Sequence, residues 1–130
     1  MRVVDRMTPD PSSVRPYHTL AAAKALMRAE GLRHIAVIED GKLVGILSDR
    51  DLRNHSGYLD CTKVNAAMTP DPITVGPDVS IEQAARLFLT HKVGSLPVVE
   101  EGKVIGIITT TDLLRALLDV GHGASASCRH

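Results

Sequence analysis

The strongest constraint on this chain is that it writes itself twice. Displaced by about 61 residues, Met7 to Arg53 aligns with Met68 to Leu114 without a gap. The pentapeptide MTPDP recurs intact, and Val14, Pro16, Ala23, Leu26, Val37, Gly41-Lys42 and Gly45-Ile46 recur as Val75, Pro77, Ala84, Leu87, Val98, Gly102-Lys103 and Gly106-Ile107. An ungapped match of this length means one supersecondary unit repeated. In 130 residues neither copy can bury a sufficient core alone, so the two must depend on each other. The reading is a first repeat over 1–60, a second over 61–120, and a small, polar tail over 121–130, GHGASASCRH, with no periodicity and an expectation of flexibility.

Each copy parses in the same order. The prolines of MTPDP hold the chain extended into short strand candidates, Ser13-Val14-Arg15 and Ile73-Thr74-Val75. An amphipathic helix follows: Leu20, Ala23 and Met27 form one stripe after Thr19, and Ile81, Ala84, Ala85 and Phe88 form the other after the N-cap candidate Ser80. HIAVIEDGKLVGIL and SLPVVEEGKVIGII then read as tight hairpins turning at Asp40-Gly41 and Glu101-Gly102. A last helix is expected at about 49 to 55 and about 111 to 120. The order is strand, helix, strand, strand, helix, an α/β (α+β) unit whose three-stranded sheet keeps one apolar face uncovered. Two such β-α-β-β-α repeats packed through their sheets about a pseudo-twofold axis satisfy that face, with a cleft between repeats on each side.

Both hairpins end in one grammar, GILSDRDL from Gly45 and GIITTTDL from Gly106. A hydroxyl residue three before an acid is a capping box, with Ser48 or Thr109 as N-cap and Asp51 or Asp112 near N3. Capping does not explain the preceding glycines, which mark a bend or the close approach of a backbone or ligand. A helix start with a carboxylate one turn in also suits a phosphate beside a ribose diol. Spacing alone leaves both readings open.

These residues resemble a known family. VVDRMTPDP and VNAAMTPDP as openings, HKVGSLPVV before the second hairpin, and the glycine, Ser/Thr and Asp signature in both copies make the chain similar to a tandem pair of cystathionine-β-synthase (CBS) domains, a Bateman module, from Val3 to about Val120. The resemblance implies that Asp51 with Ser48, and Asp112 with Thr109, hold the ribose and phosphate of an adenosine-type ligand: AMP, ADP, ATP or a related adenosyl compound. It implies further that the adenine wall comes from the opposite repeat: Thr74, Val75, Gly94 and Leu96 for Asp51, and Ser13, Val14, Arg33 and Ala36 for Asp112. Many family members carry proline where this chain has Ala36, as at Pro97, so adenine contact there departs from the pattern. Arg33 and His34 open the second strand of the first repeat, where the family places phosphate contacts; Gly94 and Ser95 stand at the matching positions. The Asp112 cleft is therefore expected to prefer the more phosphorylated ligand, and a His34 of ordinary pKa would strengthen binding there as pH falls toward about 6. Arg50 lies inside the Asp51 motif, in a first helical turn that points it to solvent.

The rest of the sequence narrows function by exclusion. Fifteen basic residues balance fifteen acidic ones, so no global field draws the chain to nucleic acid or an anionic membrane. Aromatic residues make up 2%, too few to stack bases in series. MRVVDRMTPD lacks a signal peptide's apolar stretch and no run reaches a membrane span, giving a cytoplasmic expectation. Six scattered histidines lack metal-ligand spacing and read as solvated apart from His34, with no metal site expected; Cys61 and Cys128 read as incidental thiols. Without a nucleophile elbow, P-loop or paired acid and base, neither an enzyme nor a catalytic cofactor is expected. The reading is an energy- or metabolite-sensing module signalling to an effector protein, paired into a homodimer through Leu113, Leu114, Leu117 and Leu118. The rival is a ligand-free interaction module; a redox-responsive dimer through Cys61 is a weaker third.

Overall fold

A computed structural model describes the backbone of residues 1–128 and the side chains of residues 1–119. In chain order the elements are a 3-10 turn (Val3–Asp5), β1 (Thr8–Pro9), β2 (Ser13–Val14), α1 (Leu20–Glu30), β3 (His34–Glu39), β4 (Lys42–Ser48), α2 (Asp49–Asn54), α3 (Val64–Ala67), β5 (Thr69–Pro70), α4 (Ile81–His91), β6 (Ser95–Glu100), β7 (Lys103–Thr109) and α5 (Thr110–Cys128). Local chemistry sets most of these boundaries. Thr19 accepts from the Ala22 amide to start α1, and Gly31 in the left-handed region, φ 66, ends it. Ser80 and Gln83 close a reciprocal cap on α4. Both hairpins turn on two residues of positive φ, Asp40-Gly41 at 51 and 77 and Glu101-Gly102 at 51 and 79, the signature of a type I′ turn whose twist matches its strands. Ile35, Val37 and Leu47 pack with the α1 stripe of Leu20, Ala23 and Met27 in one core, as the periodicity predicts. Ala84 and Phe88 are buried on the equivalent stripe of α4, while Ile81 and Ala85 are half-buried.

Contacts divide the chain into two compact units. One holds Asp10–Ile73 with Glu101–Val104; the other holds Met1–Pro9, Thr74–Glu100 and the chain from Ile105 onward. The first nine residues, though they open the first sequence repeat, belong to the unit that carries the second. There Val3 is fully buried and its amide donates to the Val79 carbonyl at 2.8 Å, while the Val4 amide donates to Pro77 at 3.1 Å. The repeat-equivalent Val64, also fully buried, donates to the His18 carbonyl at 2.8 Å in the other unit, and Asn65 donates to Pro16 at 3.0 Å. Each repeat's opening is thus tied to the body of the other.

This exchange corrects two expectations. MTPDP is not extended throughout: Thr8-Pro9 and Thr69-Pro70 form β1 and β5, and the chain then turns at Asp10 and Asp71, whose φ values are 45 and 46. The sheets also gain a strand. One runs β2-β3-β4-β5, with β2 parallel to β3 and the remaining pairs antiparallel; β1 likewise adds antiparallel to β7 beside β6. Of the expected strand 73–75 only Val75 pairs, bridging Val98, and Arg15 lies outside β2. Helix α5 continues to Cys128 instead of ending near 120.

The register places Gly45 against Pro70 and Gly106 against Pro9. A Cβ on Gly45 would sit inside contact distance of Met68 Sδ and 2.9 Å from both Met68 Cγ and the Thr69 carbonyl oxygen. A Cβ on Gly106 would meet Met7 Sδ, with Met7 Cγ at 2.9 Å and the Thr8 carbonyl at 3.0 Å. The methionine can swing aside; the strand carbonyl cannot without parting the ladder. Gly45→Ala or Gly106→Ala should therefore cost about 1–3 kcal/mol of stability by overpacking. Denaturant titration checks this, and Met68→Ala combined with Gly45→Ala should recover only part of the loss, since the carbonyl remains.

Candidate functional site

The hairpin's last strand delivers its final residue directly to a helix start. Ser48 is extended, φ −114 and ψ 164, and caps α2. Its Oγ accepts from the Asp51 amide at 3.2 Å, while Asp51 Oδ2 accepts from the Ser48 amide at 2.8 Å and from its hydroxyl at 3.0 Å. Thr109 and Asp112 repeat this at α5: the Asp112 amide donates to Thr109 Oγ1 at 3.3 Å, and Asp112 Oδ2 accepts from the Thr109 amide at 2.9 Å and hydroxyl at 3.1 Å. Both motifs are thus complete capping boxes. Only Oδ2 of each acid is engaged among the described residues. Both acids are half-buried, and each Oδ1 keeps lone pairs that could accept from a hydroxylated ligand.

The glycines before these motifs have a different explanation from the ligand approach that the sequence allowed. What comes close to Gly45 and Gly106 is Met68 with the Thr69 carbonyl, and Met7 with the Thr8 carbonyl. The signal for this was in the sequence, since each methionine heads an MTPDP.

Within the unit that carries Asp51, His34 stands opposite Ser48 in the β3–β4 register, and the Arg33 carbonyl accepts from the Asp49 amide at 2.9 Å. Ser13 pairs with Ala36 and Val14 with Val37. Ser13 and Arg33 are exposed, but Val14 and Ala36 are buried in the sheet. Arg50 is exposed, as the first helical turn predicts. The unit that carries Asp112 is built alike. The Gly94 carbonyl accepts from the Thr110 amide at 3.3 Å, and Val75 donates to Pro97 at 3.0 Å; Thr74 is exposed, while Val75 and Leu96 are buried. The buried apolar residues have little side-chain surface to present, so backbone is what these positions chiefly offer.

His34 is half-buried, and its pKa lies below the ordinary 6.5, chiefly because burial disfavours the imidazolium. Asp49 and Asp51 oppose that shift, and Arg33 adds to it. The expected gain of positive charge by about pH 6 therefore moves to lower pH. Two other histidines are structural rather than merely solvated. His18 Nδ1 accepts from the Arg15 amide at 3.2 Å, and a ring nitrogen of His55 meets the Asp51 carbonyl at 3.0 Å. His91 is exposed; the side chains of His122 and His130 lie outside the described residues. Among the described residues no cluster of His, Cys, Asp and Glu could hold a metal ion, and no helix is long and apolar enough to cross a membrane.

Comparison with known proteins puts this geometry in context. The family model for the CBS domain matches residues 3–58 and again 64–119. The CBS domain-containing protein YhcV of Bacillus subtilis (strain 168) is 32% identical over 114 residues, covering 85% of this chain and 81% of that protein. The inosine-5'-monophosphate dehydrogenase of Korarchaeum cryptofilum is 39% identical over 106 residues, 80% of this chain but 22% of that enzyme. Among solved structures, CBSX2 in complex with AMP is similar at 35% identity and a TM-score of 0.82, covering 92% of this chain and 98% of that one.

The His34 shift carries a pH consequence. With its folded pKa depressed, the unfolded chain binds more protons in the window just below pH 6.5, so stability falls as pH drops through the ordinary histidine value toward the lower folded one. His34→Gln should flatten that part of the acid limb in urea titrations taken at successive pH values. Equal acid limbs in the two proteins would mean that burial does not penalise the charged ring.

Proposed function

Because the chain belongs to the CBS domain family, as a tandem pair with the α/β fold of such pairs, we propose that it is a regulatory module that binds an adenosyl ligand and signals to an effector protein. The observation that carries this reading is the duplicated carboxylate, Asp51 and Asp112, each capped through Oδ2 with Oδ1 open to a ribose diol. CBSX2, crystallised with AMP, supports the choice of ligand class. In this reading Ser48 and Thr109 lie beside phosphate, Arg33 supplies its charge-assisted contact, and His34 offers a neutral ring nitrogen. Ser13, Val14 and Ala36, and Thr74, Val75, Gly94 and Leu96, are the proposed adenine-facing positions. No catalytic step is assigned; the ligand acts by shifting a conformational equilibrium, as any ligand with unequal affinity for two states must. The sensing role and a cytoplasmic setting belong to the same proposal.

The helices of the second repeat favour self-association. Leu114, Leu117 and Leu118 on α5 are 61%, 68% and 71% exposed, and Leu89 on α4 is 80% exposed, while Leu113 is half-buried. Leucines so exposed on one helical surface mark an interaction patch, and a homodimer is the proposed use. Sedimentation at micromolar concentration should show about twice the 14.0 kDa chain mass, and Leu117→Glu should return it to the monomer.

One observation favours the rival reading of a ligand-free interaction module: both capping boxes are closed by the protein's own groups. Thermal unfolding with AMP, ADP, ATP and S-adenosylmethionine separates the two. At a hundredfold excess over its dissociation constant a true ligand adds about 2.7 kcal/mol, several degrees for a domain of this size; no shift with any of them supports the rival.

Titration calorimetry then assigns residues. Asp51→Asn and Asp112→Asn should each weaken nucleotide binding about tenfold or more through loss of charge-assisted bonds, at a folding cost of at most about 1 kcal/mol. Arg33→Ala should weaken ATP more than AMP. Unchanged affinity in the double aspartate variant would remove the binding assignment.

A further inference from the structure

The first repeat carries a surface feature that neither the caps nor the leucine patch uses. Along α1 a cavity of about 540 Å³ adjoins a second of about 430 Å³, and the two share Lys24, Arg28 and Leu59, so they form one groove. Its floor is apolar: Met27 and Leu52 are buried, and Leu32 and Leu59 are half-buried. Its rim is cationic, with Lys24, Arg28, Arg33 and Arg53. Lys24 and Arg28 stand one turn apart on the same face of α1, about 6 Å along the axis. Arg53 is paired with Asp49 at 3.1 Å, but Lys24, Arg28 and Arg33 form no ion pair among the described residues. Nearby Glu30 is held by the Ser12 hydroxyl at 2.6 and 2.7 Å. The acids lining the groove are Asp49 and Asp60, so positive charge is in excess.

The internal repeat supplies a control. In the repeat register Lys24, Arg28, Arg33 and Arg53 correspond to Ala85, Leu89, Gly94 and Leu114, and Ser56 and Gly57 correspond to Leu117 and Leu118. A surface needed only to fold the repeat would serve both copies in the same form. Here one copy presents cations over an apolar floor where the other presents leucines. No aromatic ring lines the groove to stack a base.

We propose that this groove docks an acidic amphipathic segment of the effector protein, its apolar side chains seated on Met27, Leu32, Leu52 and Leu59 and its carboxylates facing Lys24 and Arg28. Charge complementarity sets the approach, and the apolar floor distinguishes a peptide from a simple anion. The proposal deepens the regulatory reading by naming the effector's chemistry, and it stands even without an adenosyl ligand.

The test is fluorescence anisotropy with a labelled peptide of about 18 residues, leucines at the i, i+3, i+4, i+7 spacing and glutamates elsewhere. Saturable binding with a dissociation constant of about 10–100 µM is expected, weakened at least about tenfold in Lys24→Glu/Arg28→Glu and about threefold or more in the milder Lys24→Gln/Arg28→Gln. Replacing the peptide's leucines by serines should weaken binding about fivefold or more. Several results would overturn the proposal: no saturation below about 1 mM, equal affinity for both variants, or equal binding of the serine peptide. Displacement by tripolyphosphate as readily as by unlabelled peptide would make the groove a polyphosphate site instead. Loss of binding in Leu117→Glu but not in the charge variants would move docking to the leucine patch. The AMP-induced thermal shift should be unchanged in the charge variants; its absence from the wild type would overturn the adenosyl reading alone.

Discussion

Two close contacts hold this architecture together: the Met68 side chain and Thr69 carbonyl against Gly45, and Met7 with the Thr8 carbonyl against Gly106. Each joins the opening of one sequence repeat to the last hairpin strand of the other, so neither compact unit is built from continuous sequence. The strand so braced ends, three residues later, at the N-cap of a helix: Gly45 leads to Ser48 and Gly106 to Thr109. Packing that excludes a Cβ therefore sits one step from the groups that carry the candidate chemistry. An added methyl at either glycine strains the ladder and, through it, the register that sets the cap.

The caps show how one residue pattern serves two ends. A carboxylate has about four lone-pair sites, and a capping box occupies them on one oxygen only. Asp51 and Asp112 each satisfy the backbone and hydroxyl of their cap with Oδ2, which locks the side chain's orientation before any ligand arrives. Such locking lowers the ordering cost of binding. A closed cap needs no ligand, yet it leaves Oδ1 of each acid to accept one. That is why Ser48 and Thr109 with their acids could not be decided by spacing.

The duplicated chain also separates what packing demands from what the surface is free to vary. Val14 and Val75, Ala23 and Ala84, and Val37 and Val98 recur unchanged and are all buried, where a change of one methylene is felt. Lys24 and Ala85, Arg28 and Leu89, and Arg53 and Leu114 differ where packing asks little. The two repeats share a core plan and differ in their outer chemistry, cationic on one and apolar on the other.

The sequence by itself determined the local structure. The repeat, the helical stripes, the two-residue turns at Asp40-Gly41 and Glu101-Gly102, and the caps at Thr19, Ser48, Ser80 and Thr109 all rest on interactions within a few residues, so they were legible without coordinates. The motif resemblance placed the chain in its family for the same reason. Tertiary structure decided what depends on partners far away in the chain. Gly45 answers to Met68 and Gly106 to Met7, Thr8-Pro9 and Thr69-Pro70 become strands because β7 and β4 offer them edges, and His34 loses basicity through burial. The groove above Met27 likewise exists only once α1 and α2 have packed, because no local pattern tells a cation that its neighbours across the fold leave it unpaired.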